Sequence, residues 1–253
     1  MSKALKGKIS YCVKIDRGLC HNVNQDAAAA FVREGLGLFV LSDGMGGHSR
    51  GELASRGIIV EFELYWQKLS EMSYTPDFQT LSGHVRQVIA NANSSIYAQY
   101  NQGQVCGATV VVLLIKDDCY AFFSVGDSHI YNYANRKFSL LTVDDIWDTL
   151  PSTVSRYSQA EIEANKSHGK LTQAVGTKEE VNIHVGTSRI NGRQSFLLCS
   201  DGLYKFCDKK QIEKGLRSIR SEAGVKKSMD FLMGKVFENG AGDNVSAIVV
   251  QVE

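Results

Sequence analysis

The sequence lacks the apolar segments that secretion or membrane insertion would need. No apolar run reaches the ~18 residues of a membrane span, and the N-terminus, Met-Ser-Lys-Ala-Leu-Lys-Gly-Lys, has no apolar signal-peptide core. An excess of one charge is also missing, since 28 Lys and Arg against 27 Asp and Glu give a net charge of +1. From the first observation we expect a cytoplasmic protein. From the second we expect no positive electrostatic field that would attract nucleic acid or an anionic membrane.

Cysteine and proline are scarce as well. Six cysteines in 253 residues form no dense disulfide framework, and several lie in apolar runs, where a thiol behaves as a small apolar side chain. The chain has only two prolines, and we find no internal repeat, low-complexity tract or linker. With 43% hydrophobic residues the composition is that of an ordinary globular protein. We expect reduced thiols and one domain over residues 1–253.

What the sequence does contain is a set of acids at the ends of apolar runs. One run ends in Asp43, which precedes glycines at 44, 46, 47 and 51; a second ends in Asp201, and Asp243 comes just before a third. Such oxygen ligands, without paired Cys or His spacing, suit Mg²⁺ or Mn²⁺ rather than Zn²⁺. A single Asp-Gly is more often a turn. Three acids at strand ends, with His48 five residues after the first, indicate a metal site.

Hydrophobic periodicity predicts about ten strands in antiparallel meanders, with the helices in separate blocks. Two long helices, at 52–72 and 81–100, each carry an apolar stripe that faces the core. A strand is predicted at 181–187. Residues 142–170 lose periodicity apart from a helical patch near 159–164, and a loop of this length is typical of a lid or flap. The pattern indicates an α+β fold with antiparallel sheets.

Eight short motifs follow one another along nearly the whole chain. They are Asn24-Gln-Asp26, Asp43-Gly-Met-Gly-Gly-His48 with Gly51-Glu52, Gly107-Ala-Thr109, Val125-Gly-Asp-Ser128, Leu141-Thr, Leu171-Thr-Gln-Ala-Val-Gly176, Ser200-Asp-Gly202 and Gly242-Asp-Asn244. In this order they resemble the metal-dependent protein phosphatases, the 2C class of serine/threonine phosphatases, and the compact size resembles the bacterial branch. The resemblance implies a four-layer α/β/β/α sandwich of two antiparallel sheets flanked by helices.

The resemblance also implies a site for two or three Mn²⁺ or Mg²⁺ ions at one end of the sandwich. Asp43 would bridge two metals, and the carbonyl of Gly44 would bind one of them. Asp201 and Asp243 would bind the other metal. Asp127 would join Asp201 in the third metal site that bacterial members have.

The implied reaction is hydrolysis of phosphoserine and phosphothreonine in proteins by a hydroxide that bridges the metals. Asp43, Asp201 and Asp243 would be catalytic through the metals, and His48 would donate a proton to the departing Ser or Thr oxygen. Asp26 would hold metal-bound water, and Asn244 would lie with it around the metal ligands. The partner would be a phosphoprotein made by an opposing serine/threonine kinase, and the enzyme is expected to be a monomer.

Three positions depart from the family pattern. His21 stands where many members have the arginine that binds substrate phosphate, Gln173 replaces a common arginine, and Asp145 stands where Asp-His is common. If His21 points to solvent, Arg17 or Arg50 would bind the phosphate. His21 leaves open a pseudophosphatase that serves as a protein-binding module. A two-metal hydrolase of small phosphoesters or nucleic acid is a further alternative, although the near-neutral net charge disfavours nucleic acid. The retained acids argue against a module, because buried carboxylates repel one another without metal.

Overall fold

The computed structural model describes residues 8–46, 50–100 and 106–253. Its strands are β1 (Ile9–Asp16), β2 (Asp26–Arg33), β3 (Leu36–Met45), β4 (Gly107–Ala108), β5 (Val110–Lys116), β6 (Cys119–Val125), β7 (His129–Ala134), β8 (Lys137–Leu140), β9 (His184–Arg189), β10 (Gln194–Cys199) and β11 (Val245–Val252). Its α-helices are α1 (Arg50–Glu71), α2 (Phe78–Tyr100), α3 (Pro151–Val154), α4 (Gln159–Glu163), α5 (Asp201–Tyr204), α6 (Lys209–Arg217) and α7 (Glu222–Glu238).

These strands form two sheets in which neighbouring strands are antiparallel. One sheet has the order β1-β11-β10-β7-β8, so the first and last strands pair with Ile9 opposite Val252. The other has the order β2-β3-β5-β6-β9, with the short β4 beside the end of β3. The α+β class predicted from the sequence is therefore confirmed.

The two sheets pack face to face, and helices cover both outer faces. The layer between the sheets contains buried apolar side chains from each of them, including Phe39, Leu41, Val111, Phe196 and Ile248. Helices α1 and α2 pack on the sheet that contains β3, whereas α6 and α7 pack on the sheet that contains β11. Strands β3 and β5 are apolar along most of their length because each face meets a core. The four-layer sandwich implied by the family resemblance is confirmed.

The two longest helices are amphipathic, as their periodicity predicts. In α1 the buried stripe includes Ala54, Ile58, Phe62 and Leu69, and the opposite face is polar or exposed. Burying Ile58, Phe62 or Leu69 contributes about 1.5–3 kcal/mol for each side chain, which favours the helix once it packs on the sheet. Across the three described ranges, no helix combines the length and the apolar character that crossing a bilayer would require.

Residues 142–170, which we call the flap, contain more regular structure than their sequence predicts. The patch expected near 159–164 is α4, which starts with a capping box between Ser158 and Glu161. A 3₁₀ turn at Trp147–Thr149 and α3 are additional, and both are too short to produce a helical pattern in the sequence. The ends of the flap meet where the Trp147 amide donates to the Lys170 carbonyl at 2.8 Å.

The strand predicted at 181–187 is wrong at both of its ends. Strand β9 begins at His184 and continues to Arg189. Its late start follows from the side chain of Gln173, which donates to the carbonyl of Asn182 at 2.9 Å and accepts from the amide of Asn182 at 3.0 Å. Both main-chain groups of Asn182 are therefore hydrogen-bonded to the Gln173 side chain and do not pair with β6.

Candidate metal centre

Two carboxyl groups meet at one end of the β2–β3 ladder. Asp26 is the first residue of β2 and lies directly opposite Asp43, a position in which Cβ atoms are about 4.5–5.5 Å apart. Asp26 is 7% exposed, and its Oδ2 accepts a hydrogen bond from Ser200 Oγ at 2.8 Å. Its Oδ1 is buried without a hydrogen-bond partner in the described part of the chain. An unpaired buried oxygen is unfavourable, so this atom suits a site that takes a ligand.

The other sheet brings two more acids to the same end of the sandwich. Asp201 follows β10 and begins α5, while Asp243 lies just before β11, the neighbour of β10. The two loops pack main chain against main chain at Gly202, where an added Cβ would lie 1.9 Å from the Asn244 carbonyl oxygen. Only glycine permits this approach, and the approach holds Asp201 and Asp243 together.

Five acids share this site, and their pKa values reflect it. We call Asp26, Asp43, Asp127, Asp201 and Asp243 the acid cluster. Burial, followed by the negative charges of Asp26, Asp201, Asp127 and Asp243, raises the pKa of Asp43 well above its ordinary value. Burial is also the largest cause that raises the pKa of Asp26 and of Asp127 to about 6. Like charges in a poorly hydrated site favour the neutral acids unless a cation is bound.

The chemistry of this donor set fits hard divalent cations such as Mg²⁺ and Mn²⁺. In the ranges that the structure describes, no three His, Cys, Asp or Glu side chains are already arranged around one ion position. Two of the acids contact basic groups of this chain instead. Asp201 Oδ2 lies 2.6 Å from Lys205 Nζ, and Asp243 Oδ1 lies 3.1 Å from His21 Nε2. Cations bound by these acids would compete with Lys205 and His21.

Buried hydroxyl groups connect the strand of Asp43 to the loop of Asp127. The Asp43 amide donates to Thr109 Oγ1 at 3.1 Å, and the Thr109 amide donates to the Asp43 carbonyl at 2.8 Å. Thr109 Oγ1 also lies 2.7 Å from Ser128 Oγ, next to Asp127. Close packing fixes Gly44 as well, because a Cβ there would lie 2.2 Å from the Gly51 carbonyl oxygen of α1. The residue whose carbonyl is the predicted metal ligand is thus held rigidly.

Asn244 holds the loop that precedes β2 against the acid cluster. Its side chain is buried; Oδ1 accepts from the amide of Gln25 at 2.8 Å, and Nδ2 donates to the carbonyls of Arg17 and Val23 at 2.9 and 3.1 Å. The loop between these contacts contains His21. Asn244 follows the predicted metal ligand Asp243 in sequence, so its hydrogen bonds hold the His21 loop next to Asp243.

The candidates for phosphate binding occupy different surroundings. His21 contacts Asp243 although nearly half of its side chain is exposed. Arg17 is exposed, and Arg50 is the first residue of α1, where its carbonyl accepts from Cys106 Sγ at 3.1 Å. No ion pair between described residues joins Arg17 or Arg50 to the acid cluster. His48 lies outside the described residues, together with Gly47 and Ser49, so its role stays a prediction.

A cavity of about 420 Å³ opens beside the acid cluster and reveals residues that the sequence motifs do not point to. Its lining includes Asp43, Asp127 and Asp201 together with two lysines, Lys170 from the end of the flap and Lys205 from the residue after α5. The only sequence signal for Lys205 is its spacing, four residues after Asp201 on a helical turn, where opposite charges commonly pair.

Two consecutive aspartates hold the start of the flap beside the acid cluster. Asp145 Oδ2 accepts from the amide of Gly126 at 2.9 Å, and its Oδ1 lies 2.8 Å from His184 Nε2 on β9. Asp144 Oδ1 lies 2.9 Å from His129 Nε2, which is buried in β7. Gly126 and His129 flank the loop of Asp127. The flap is therefore attached to the segment that carries one of the five acids.

The chain is similar to known proteins over nearly its whole length. The family model described as protein phosphatase 2C matches residues 20–247. Protein phosphatase PhpP of Streptococcus pneumoniae is 26% identical over 240 residues, which cover 94% of this chain and 95% of that protein. Serine/threonine phosphatase stp of Listeria monocytogenes is 24% identical over 245 residues and 94% of each chain. The crystal structure of the catalytic domain of serine/threonine protein phosphatase PstP with two manganese ions is 26% identical, has a TM-score of 0.80 and covers 96% of this chain and 98% of its own.

Proposed function

Because this chain belongs to the protein phosphatase 2C family, we propose that it hydrolyses phosphoserine and phosphothreonine in proteins with Mn²⁺ or Mg²⁺ held by the acid cluster. The observation that carries the proposal is the convergence of five acids, from both sheets, at one end of the sandwich. The related PstP structure with two manganese ions supports the choice of cation.

Asp43, Asp201 and Asp243 would hold the cations together with the carbonyl of Gly44. When bound, the cations supply Lewis acidity, which lowers the pKa of water and offsets charge on the phosphoryl oxygens. The residues of the chain supply the rest. Asp26 Oδ1 is buried and has no hydrogen-bond partner among the described residues, so it would accept a hydrogen bond from the attacking water. His48 would donate a proton to the departing Ser or Thr oxygen, as a general acid.

His21 and the flap would govern how the substrate binds. His21 lies against Asp243, so its ring is within reach of a phosphate that enters the site. The flap is fixed at its start by Asp144 and Asp145, which leaves the rest of residues 142–170 to contact the protein around the phosphorylated residue. We further propose that residues 1–253 are one 2C-type domain, a cytoplasmic monomer that opposes a serine/threonine kinase.

Turnover of a phosphothreonine peptide, measured with Mn²⁺ and with EDTA, tests the proposal. The expected result is phosphate release that requires the cation and is absent in Asp43→Asn. A purified, folded protein that binds Mn²⁺ but releases no phosphate from several phosphopeptides would support the protein-binding module instead. Faster release from small phosphoesters than from every phosphopeptide would support the small-molecule hydrolase.

A further inference from the structure

Lys205 introduces a positive charge into the acid cluster. Its Nζ lies 2.6 Å from Asp201 Oδ2, and both side chains line the cavity that also contains Asp43 and Asp127. The side chain of Asp201 is 17% exposed, whereas that of Lys205 is 55% exposed. The ammonium group of Lys205 therefore contacts the largely buried carboxylate of Asp201, although the Lys205 side chain itself lies mostly at the surface.

The charge of Lys205 acts on more than its direct partner. Lys205 lines the same cavity as Asp127 and Asp201, and its ammonium group is attracted by the charges of Asp201, Asp127 and Asp243. Lys205 is thus a shared counter-ion of Asp127 and Asp201. These are the two acids for which the family resemblance implies a third cation.

We propose that the ammonium group of Lys205 takes the place of a third metal ion, so that the acid cluster binds two divalent cations and not three. A third dication between Asp127 and Asp201 would lie next to the ammonium group of Lys205, and the two positive charges would repel each other. Lys205 belongs to the chain, so its local concentration beside Asp201 does not depend on the concentration of metal. The inference rests on the proposed function, since it assumes that the cluster binds divalent cations.

The cavity offers a matched control for this inference. Lys170 lines the same cavity as Lys205 and carries the same charge. No ion pair joins it to a carboxylate in the described part of the chain. Lys205→Met removes the ammonium and keeps an unbranched side chain, Lys205→Arg keeps a positive charge at the position, and Lys170→Met removes a charge elsewhere in the cavity.

Counting bound Mn²⁺ tests the inference without reference to turnover. Free Mn²⁺ is measured by electron paramagnetic resonance as metal is added to each folded, metal-free protein. The wild type, Lys205→Arg and Lys170→Met are expected to bind two ions, and Lys205→Met is expected to bind a third with at least a tenfold gain in affinity. Lys205→Gln serves as a second neutral variant if circular dichroism finds Lys205→Met unfolded.

The outcomes separate this inference from the proposed function. Three ions bound by the wild type would overturn the inference and leave the phosphatase proposal intact. Two ions bound by both neutral variants would also overturn it, because the ammonium would then not be what excludes the third ion. A third ion gained equally by Lys170→Met would overturn it as well, because the gain would then come from the total charge of the cavity and not from the contact between Lys205 and Asp201. A wild type that binds no Mn²⁺ would overturn the proposed function, and the inference with it.

Discussion

Asp26 and Asp43 oppose each other across the β2–β3 ladder, so two carboxyl groups whose pKa values are raised by burial lie side by side. The chain therefore folds at a cost that depends on the protonation of these acids. That cost falls when the acids are neutral and also when a metal is bound.

The metal-free protein is expected to lose stability as the pH rises from about 4 to about 7. The pKa of Asp26 is about 6 in the folded state against an ordinary 3.8. Below the lower value both states hold the proton. Between the two values the unfolded state has lost the proton that the folded state still binds, so the free energy of unfolding falls as the pH rises. The fall is complete above the pKa of the folded state, and Asp26 alone accounts for about 3 kcal/mol of it. Urea denaturation in EDTA at several pH values measures the free energy of unfolding.

Asp26→Asn is the control for this pH dependence, because its amide does not titrate. The variant should show a flatter fall in stability over the same range. Addition of Mn²⁺ near pH 7 should restore stability to the wild type. A wild type that becomes more stable between about pH 4 and about pH 7, with no difference from Asp26→Asn, would contradict the assignment of the raised pKa.

Asp201→Asn and Asp243→Asn are each expected to reduce Mn²⁺-dependent turnover by more than ~100-fold, since each removes a charged ligand. The metal-free fold should survive. Loss of the pair with Lys205 or with His21 costs roughly 0–1 kcal/mol, and relief of repulsion within the acid cluster offsets it. Phosphopeptide assays and thermal melts in EDTA measure both effects. Unchanged turnover in both variants would refute the metal assignment, and Asp230→Asn on the exposed side of α7 is the control.

His21→Arg is expected to lower KM for a small aryl phosphate. A guanidinium is always charged and presents a planar fork of donors that binds phosphate through two hydrogen bonds. A charge-assisted contact of ~1.5–3 kcal/mol corresponds to roughly 10- to 100-fold in KM. Steady-state kinetics of the wild type and the variant measure this difference in KM. An unchanged KM, together with a higher KM in Arg17→Ala or Arg50→Ala, would falsify the placement of phosphate at His21.

Asp145→Ala is expected to slow turnover of phosphopeptides more than that of a small aryl phosphate. The substitution removes both the contact with His184 and the acceptor for the Gly126 amide, so it frees the start of the flap. The ratio of kcat/KM for the two substrates measures the effect. Asp118→Ala is the matched control, because it breaks the ion pair with Arg189 at the other end of β9. Equal losses on both substrates would make the flap part of the catalytic apparatus.

The α+β class and the placement of Asp43 and Asp201 at strand ends could be predicted from the sequence because both are encoded locally. Asp43 and Asp201 end apolar runs, and the strands that carry them are long enough to produce a pattern. Lys205 could not be recognised, because a lysine four residues after an acid is common on any helix. The start of β9 was missed for a different reason. It depends on hydrogen bonds between the Gln173 side chain and the main chain of Asn182, and hydrophobic periodicity cannot predict such a contact.

Strand β11 lies between β1 and β10, so the first strand of the chain has the last one as its neighbour. A chain emerging from the ribosome has made β1, both long helices and four of the five acids before Asp243 and β11 exist. Until then β1 has no β11 to pair with and the loop of His21 is not held by Asn244. We therefore expect the acid cluster to be complete only after Asp243 and β11 have been made, so that a chain truncated before Asp243 should release no phosphate from a phosphopeptide.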